Sequence, residues 1–433
     1  MLGRLAYHTL AVTGVALAAP FFVSRLGSSR QREIMAARLG LGRAWLPVPG
    51  GPGALWVHAL SVGEVGTALP LVRALGKRFP GRPLVLSTAT AGGLELARQG
   101  LDQDSAVALL VRPLDLPWAV PKVLDRLRPA LSVLVEGDIW PGWQWGLGAR
   151  GVPRLLVNGR VSPRTFAGYQ RLGPLARELL GGFERILVQS QVDYQRMAAV
   201  GVAPARLAVG GNLKFDTAPP ALGPEEREAL ARELGLAARP VLVAGSTHAG
   251  EEEPCLAAFQ ALAAEHPGLA LLLAPREVSR AAGILELARS RGLRVAALSQ
   301  GAPPPDTQVV VLDLLGLLAR AYAVGRAAFV GGSFTTVGGH NLLEPAAQGV
   351  PVFFGPHTHN FLAMARGLEE AGGGFRLAQG GELLAAWGRA LAEPAWAAAA
   401  GQTARDFTAA HRGALDRAVE EAAGLLEVSA HGA

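Results

Sequence analysis

Short apolar runs alternate along this chain with segments whose apolar residues recur every three or four positions. Ala54 to Leu60, Leu84 to Thr88, Leu131 to Glu136, Arg154 to Asn158 and Arg185 to Gln189 read as buried strands. Between the first two, Val65 to Phe79 carries helical spacing. The pattern breaks over residues 204–224 into a Gly- and Pro-containing stretch, and a second series begins. Its expected strands are Pro240 to Ala244, Leu269 to Leu273, Leu293 to Ala297, Val309 to Leu312, Ala327 to Val330 and Val350 to Phe353. Apolar runs with helices between them predict parallel strands covered on both faces, hence two doubly wound α/β domains. The expected division is an N-terminal domain at 25–213, a linker at 214–224, a second domain at 225–403 and a final segment at 404–433. That last segment, helical from roughly Ala404 to Leu426, is expected to pack back on the first domain. Ligands of such sheets bind outside the carboxyl ends of the strands, which predicts a site in the cleft between the domains.

The N-terminus departs from this pattern. Leu5 to Val23 is apolar apart from His8, Thr9 and Thr13, close to the length that crosses a hydrocarbon core. Arg4 precedes it, whereas Arg25, Arg30, Arg32, Arg38 and Arg43 follow, so the positive-inside rule places the rest of the chain in the cytoplasm. Residues 1–24 are therefore expected as a single anchor in the inner membrane. Two alternatives stand beside it. One is a signal peptide cleaved near Ala16-Leu17-Ala18; the other is a helix lying in the interface, which Pro20 and the weakly polar positions tolerate.

Composition narrows the function classes. Half of the 433 residues are hydrophobic and 18% are charged, which excludes disorder, and the length favours two cores. A formal net charge of +6 implies an anionic partner. The arginines are scattered singly and lysine occurs only at Lys77, Lys122 and Lys214, so no nucleic-acid footprint is expected. With Cys255 the sole cysteine, an internal disulfide is excluded.

Candidate chemistry clusters after the expected strands. Glu64, in His58-Ala59-Leu60-Ser61-Val62-Gly63-Glu64, stands at a helix start after the first strand. There it either offsets the helix dipole or serves as the base that a sugar transfer to a hydroxyl requires. Glu136 and Asp138, with Trp140, follow a second strand, and a carboxylate at the end of a buried strand needs a partner or a function. Arg160 follows a third and is suited to bidentate binding of an acidic group or to a structural ion pair. Lys214 sits in Gly210-Gly211-Asn212-Leu213-Lys214, and Ser246 and His248 in Gly245-Ser246-Thr247-His248 before an expected helix at Gly250 to Phe259. Backbone amides at such a helix start bind anions. Arg276 follows the next strand. Gly331-Gly332-Ser333 and Gly338-Gly339-His340-Asn341 bracket a loop whose glycines permit close approach to a ligand, with the Gly332 amide a candidate phosphate donor. Asn341 is expected to begin a helix, with Glu344 one turn in to accept hydrogen bonds from ribose hydroxyls. His340, His357 and His359 fit no standard zinc spacing, so no metal is expected.

With these motifs in order, the chain resembles the Kdo (3-deoxy-D-manno-octulosonic acid) transferases of lipopolysaccharide assembly. SVGEV, VEGDIWP, NGRVS, GNLKFD, GSTHAGEE, PRE, FVGGSF, GGHNLLEPAA and GPHTHNF carry the resemblance, which runs from the N-terminus to about residue 365. It departs at Gly137, Asp138, Gly142, Gly159 and Glu277. The resemblance implies a GT-B fold and an inverting, metal-independent enzyme without a cofactor, moving Kdo from CMP-Kdo to lipid IVA at the cytoplasmic face of the inner membrane. It places the base at Glu64 and other functional positions at Glu136, Lys214, His248, Arg276, Asn341 and Glu344. A lipid A disaccharide synthase using a UDP-sugar and a GT-B-like sugar-nucleotide epimerase are the competing readings.

Overall fold

The computed structural model describes residues 2–23, 27–41, 53–101 and 107–431. They fall into two compact units, Met1–Thr217 with Arg412–Ala433, and Ala218–His411.

The first unit is built on seven strands: β1 (Leu55–His58), β2 (Leu84–Thr88), β3 (Val107–Val111), β4 (Leu131–Val135), β5 (Arg154–Gly159), β6 (Arg185–Val188) and β7 (Leu207–Val209). All pair in parallel, in the order β3-β2-β1-β4-β5-β6-β7. Alternate residues face opposite layers. Leu55 and Val57 pack with Val65, Leu69 and Val72 of the helix Val62–Arg78. Trp56 packs on the other side with Leu124 and Trp143. Each such fully buried apolar side chain contributes about 1.5–3 kcal/mol, which is why these runs become central strands. The expected helical stretch from Ala404 to Leu426 is two helices, Pro394–Ala410 and Ala414–His431. Asp216 accepts the amides of Gly413 (2.7 Å) and Leu415 (2.8 Å) and so starts the second one. Ala418, Val419 and Ala422 of that helix complete the core around Leu55 and Val57.

The second unit repeats the plan with β8 (Val241–Thr247), β9 (Ala270–Pro275), β10 (Val295–Ala297), β11 (Val309–Val311), β12 (Ala327–Val330), β13 (Val352–Phe354) and β14 (Gly374–Arg376). Its order is β10-β11-β9-β8-β12-β13-β14, again parallel. Leu242 and Ala244 face one core, Val241 and Val243 the other. The helix expected from Gly250 runs Glu252–Glu265. Three strands, β3, β7 and β14, were absent from the expected set, and each lies at a sheet edge.

The N-terminal segment forms a helix, Leu2–Val23, but the spanning anchor is not supported: among the described residues no helix is long and apolar enough to cross a membrane. One side of this helix is polar and engaged. Arg4 pairs with Glu178 at 3.1 Å and lies over the Trp145 ring, and the Tyr7 hydroxyl donates to Asp115 at 2.6 Å. Leu5, Leu10 and Leu17 are exposed. Arg25, Arg43, Met1 and Ser24, which belong to the expected anchor and its flanks, lie outside the described residues.

Candidate active site

In the first unit the strand order reverses between β1 and β4, the place where a doubly wound sheet opens a crevice at its carboxyl edge. The chain leaving β1 enters the helix Val62–Arg78, with Ser61 accepting the Glu64 amide at 3.4 Å. The Glu64 carboxylate turns back: Oε2 accepts the Leu60 amide at 2.7 Å and Oε1 the Ser61 hydroxyl at 3.2 Å. The geometry of a helix cap is thus present. Burial nevertheless lifts the proton affinity of Glu64, and the Leu60 and Ser61 bonds offset the rise only in part. With the nearby Glu136 and Asp138 charges adding to it, the pKa stands at about 7. A carboxylate balanced near neutrality is what a general base needs.

Beyond β4, Glu136 has φ +67, and beside it Asn158 at the end of β5 has φ +56, both in the left-handed region that residues other than glycine seldom occupy. Asn158 donates to Glu136 Oε1 at 3.4 Å and accepts the Leu213 amide at 2.9 Å. Asp138 is held from three sides: Arg112 at 2.7 Å, His58 Nε2 at 3.1 Å and the Trp140 indole N–H at 2.6 Å. Burial alone would raise its pKa, but the His58 bond and the Arg112 charge hold it below the usual carboxylate range. Burial, aided by Arg112, lowers the His58 pKa to about 4, so that ring is neutral. Asp138 therefore does not cap the helix Pro141–Gly148, which has no side-chain cap, and Trp140 is 45% exposed and not a core residue. Gly142, a departure from the resembling pattern, gives its amide to Asp115 at 2.7 Å, and a Cβ there would stand 2.4 Å from Asp115 Oδ1. Arg160 is exposed after β5. Lys214 lies in the first unit and not the second, in the 3-10 turn Leu213–Thr217, half-buried, with its amide donated to Asn212 Oδ1 at 3.0 Å.

In the second unit the order reverses between β8 and β12. Ser246 sits in an irregularity of β8 with φ +55, and His248 follows it. Glu251, fully buried, organises this edge. Its carboxylate accepts amide hydrogens from His248 (2.9 Å), Gly332 (2.7 Å), Ser333 (3.0 Å) and Phe334 (2.9 Å). The Gly332 amide, expected to face a phosphate, is thus already engaged by a buried carboxylate. The paired glycines have packing reasons as well. A Cβ on Gly331 would stand 2.5 Å from the Ser246 carbonyl oxygen, and Gly332, at φ +67, lets the His340 ring approach to where its own Cβ would be 2.9 Å from Cδ2. His340 meets His248, Nε2 to Nε2, at 2.8 Å. Asn341 precedes the short helix Leu343–Ala347, accepting the Leu343 amide at 3.1 Å and donating to Glu344 Oε1 at 3.2 Å. Burial raises the Glu344 pKa against the opposing effects of Asn341 and Arg276. Arg276 is exposed at the end of β9, its amide bonded to the Thr247 carbonyl at 3.0 Å. Glu252, next to Glu251, grips Arg280 with both oxygens at 2.6 and 3.1 Å.

The structure therefore gathers Glu64, Glu136 and Asp138 at one crevice, and Ser246, His248, Arg276, Asn341 and Glu344 around the other. Sequence reasoning did not find Arg112, Glu251 or the bond between His248 and His340. The family described as 3-Deoxy-D-manno-octulosonic-acid transferase (kdotransferase) matches residues 33–217. A 3-deoxy-D-manno-octulosonic acid transferase of Bordetella pertussis is 36% identical over 95% of this chain and 97% of its own length. One from Haemophilus influenzae is 34% identical over 80% of each. A solved glycosyltransferase from Rickettsia africae shares the fold, with a TM-score of 0.53 over 88% of this chain and all of that one at 10% identity. Because the B. pertussis likeness extends over nearly the whole of both chains, this chain belongs to the 3-deoxy-D-manno-octulosonic acid transferases and is a glycosyltransferase.

Proposed function

We propose that the chain moves Kdo from CMP-Kdo to a hydroxyl of a lipid A precursor, lipid IVA, with inversion and release of CMP. One observation carries the reading. In a chain of this family, a carboxylate with its pKa lifted to about 7 stands at the β1/β4 crevice, where an acceptor hydroxyl can hand it a proton. The hydroxyl oxygen forms the new bond to the anomeric carbon from the face opposite the phosphate. Its proton passes to Glu64, and the bond from the anomeric carbon to the phosphate oxygen breaks with its electron pair staying on CMP. Negative charge growing on that phosphate is met by Arg276, His248 and the Ser246 hydroxyl; this is the role a metal fills in other transferases. Asn341 and Glu344 hold the nucleotide, and Glu136 and Arg160 serve the acceptor side. The N-terminal helix lies along the cytoplasmic face of the inner membrane, with Leu5, Leu10 and Leu17 toward the acyl region. The relatives named above are Kdo transferases, which disfavours a UDP-sugar donor or an epimerase.

The test is acceptor-dependent CMP release. With CMP-Kdo, CMP should appear only when lipid IVA is present, and UDP-N-acetylglucosamine should yield no product. CMP release that ignores the acceptor, or turnover of the UDP-sugar, would overturn the proposal.

A further inference from the structure

The contact between His248 and His340 has a geometry that constrains its protons. The rings are parallel within 2° and their centroids lie 5.1 Å apart. An imidazole nitrogen sits about 1.15 Å from its ring centre, given ring bonds near 1.33 Å. Allowing that much at each end of the 2.8 Å N···N line accounts for the whole centroid separation. The rings therefore meet edge to edge along one hydrogen bond and do not stack face to face. Two protonated nitrogens cannot face each other at this distance, so one proton at most lies between the Nε2 atoms. A neutral pair then presents one Nδ1–H outward, and a pair holding one extra proton presents two, with a positive charge. Neither Nδ1 has a hydrogen-bond partner among the described residues.

The surroundings keep the extra proton off. Burial, with the Arg276 and His248 charges, lowers the His340 pKa to about 4. Among the described residues, Arg276 at the end of β9 acts on His340, and Glu251 at the head of the helix Glu252–Glu265 accepts the His248 amide; Glu344 on Leu343–Ala347 interacts with the same Arg276. His359, after β13, stands against Gly338 two residues before His340. An arriving phosphate would reverse the balance, since it favours the charged pair.

We infer that His340 is a positioning residue: it shares one proton with His248 across their Nε2 atoms, and the pair takes up a second from solvent when the donor's phosphate binds. The two Nδ1–H groups lie at opposite ends of the edge-to-edge pair and point apart, so His248 donates to the leaving group while His340 carries the second outward proton; the uptake belongs to the pair and not to either ring. This rests on reading the second unit as the CMP-Kdo site. It goes further in assigning His340 a part in the chemistry and in predicting linked proton uptake.

Calorimetry of CMP binding to the full chain at pH 7.5, in buffers of different ionisation enthalpy, reads the protons taken up. At that pH the CMP phosphate is itself nearly fully ionised, its second pKa being about 6. The native protein should take up as much as about one proton for each CMP bound. His340→Gln keeps a hydrogen-bonding neighbour for His248 but no shared proton. It should show uptake near zero and affinity weakened about tenfold, with an unchanged melting temperature. Should that variant fail to fold, His248→Gln carries the same expectation. Native binding without proton uptake, or uptake unchanged in the folded variant, would overturn the inference while leaving the donor reading intact. Absence of CMP binding by the native protein would overturn both.

Discussion

Replacing Glu64 by Gln separates a base from a helix cap, because the two roles move stability and turnover in different directions. Gln retains an oxygen to accept the Leu60 amide, now 2.7 Å from Oε2, and so keeps the cap. What it loses is the ionisable group. The rise in pKa from an ordinary 4.5 to about 7 means that the folded protein holds this proton more tightly than the unfolded chain. Folding carries no penalty from Glu64 below the unfolded pKa. The penalty grows as pH rises from 4.5 toward 7 and is complete above it. At about 1.4 kcal/mol for each tenfold change in proton affinity its ceiling is about 3 kcal/mol. Solvent reaches part of the carboxylate, which brings the working figure to roughly 1–2 kcal/mol. Denaturant unfolding at pH 8 should therefore show Glu64→Gln more stable than the native protein by that amount, and the gain should vanish near pH 4. Kdo transfer should fall by about 10²- to 10⁴-fold, and native activity should rise with pH to a plateau above about 7. A variant that loses about 0.3–1 kcal/mol at pH 8 and transfers at the native rate would refute the reasoning and leave Glu64 a dipole-offsetting cap.

Glu251→Ala should leave four amide hydrogens without their acceptor, lowering stability by roughly 3 kcal/mol or more and CMP affinity at least tenfold; an unchanged melting temperature would deny Glu251 its organising role. Glu344→Ala should weaken CMP binding by about 10- to 100-fold, the value of charged hydrogen bonds to ribose hydroxyls, and unaltered affinity by calorimetry would remove Glu344 from the nucleotide site. Gly142→Ala would force a Cβ to within 2.4 Å of Asp115 Oδ1 and should cost about 1–3 kcal/mol in thermal unfolding, whereas a variant as stable as the native protein would show that Asp115 can move aside.

The central strands were legible because burial on both faces demands continuous apolar runs, as in Leu131–Val135 and Ala270–Pro275. Edge strands escape that demand. β7 and β14 are three residues each, too short for a period to show, and β3 is only partly buried at four of its five positions. Missing β3 hides Arg112, which follows it and neutralises Asp138. The candidate residues after β1, β4 and β8 were readable from their place at strand ends. Glu251 was not, since nothing near it in sequence shows that Gly332, Ser333 and Phe334 turn their amides to it. The N-terminal helix misleads for a related reason: Arg4 reads as a flanking charge and Tyr7 as part of the apolar run, but Glu178 and Asp115 hold them.

Transfer itself can be weighed. Lipid IVA incubated with the full chain and CMP-Kdo, then analysed by mass spectrometry, should gain the mass of one or more Kdo residues. The gain should be absent without the donor and lost with Glu64→Ala. Lipid IVA recovered at its starting mass after incubation with folded, CMP-binding protein would contradict the account.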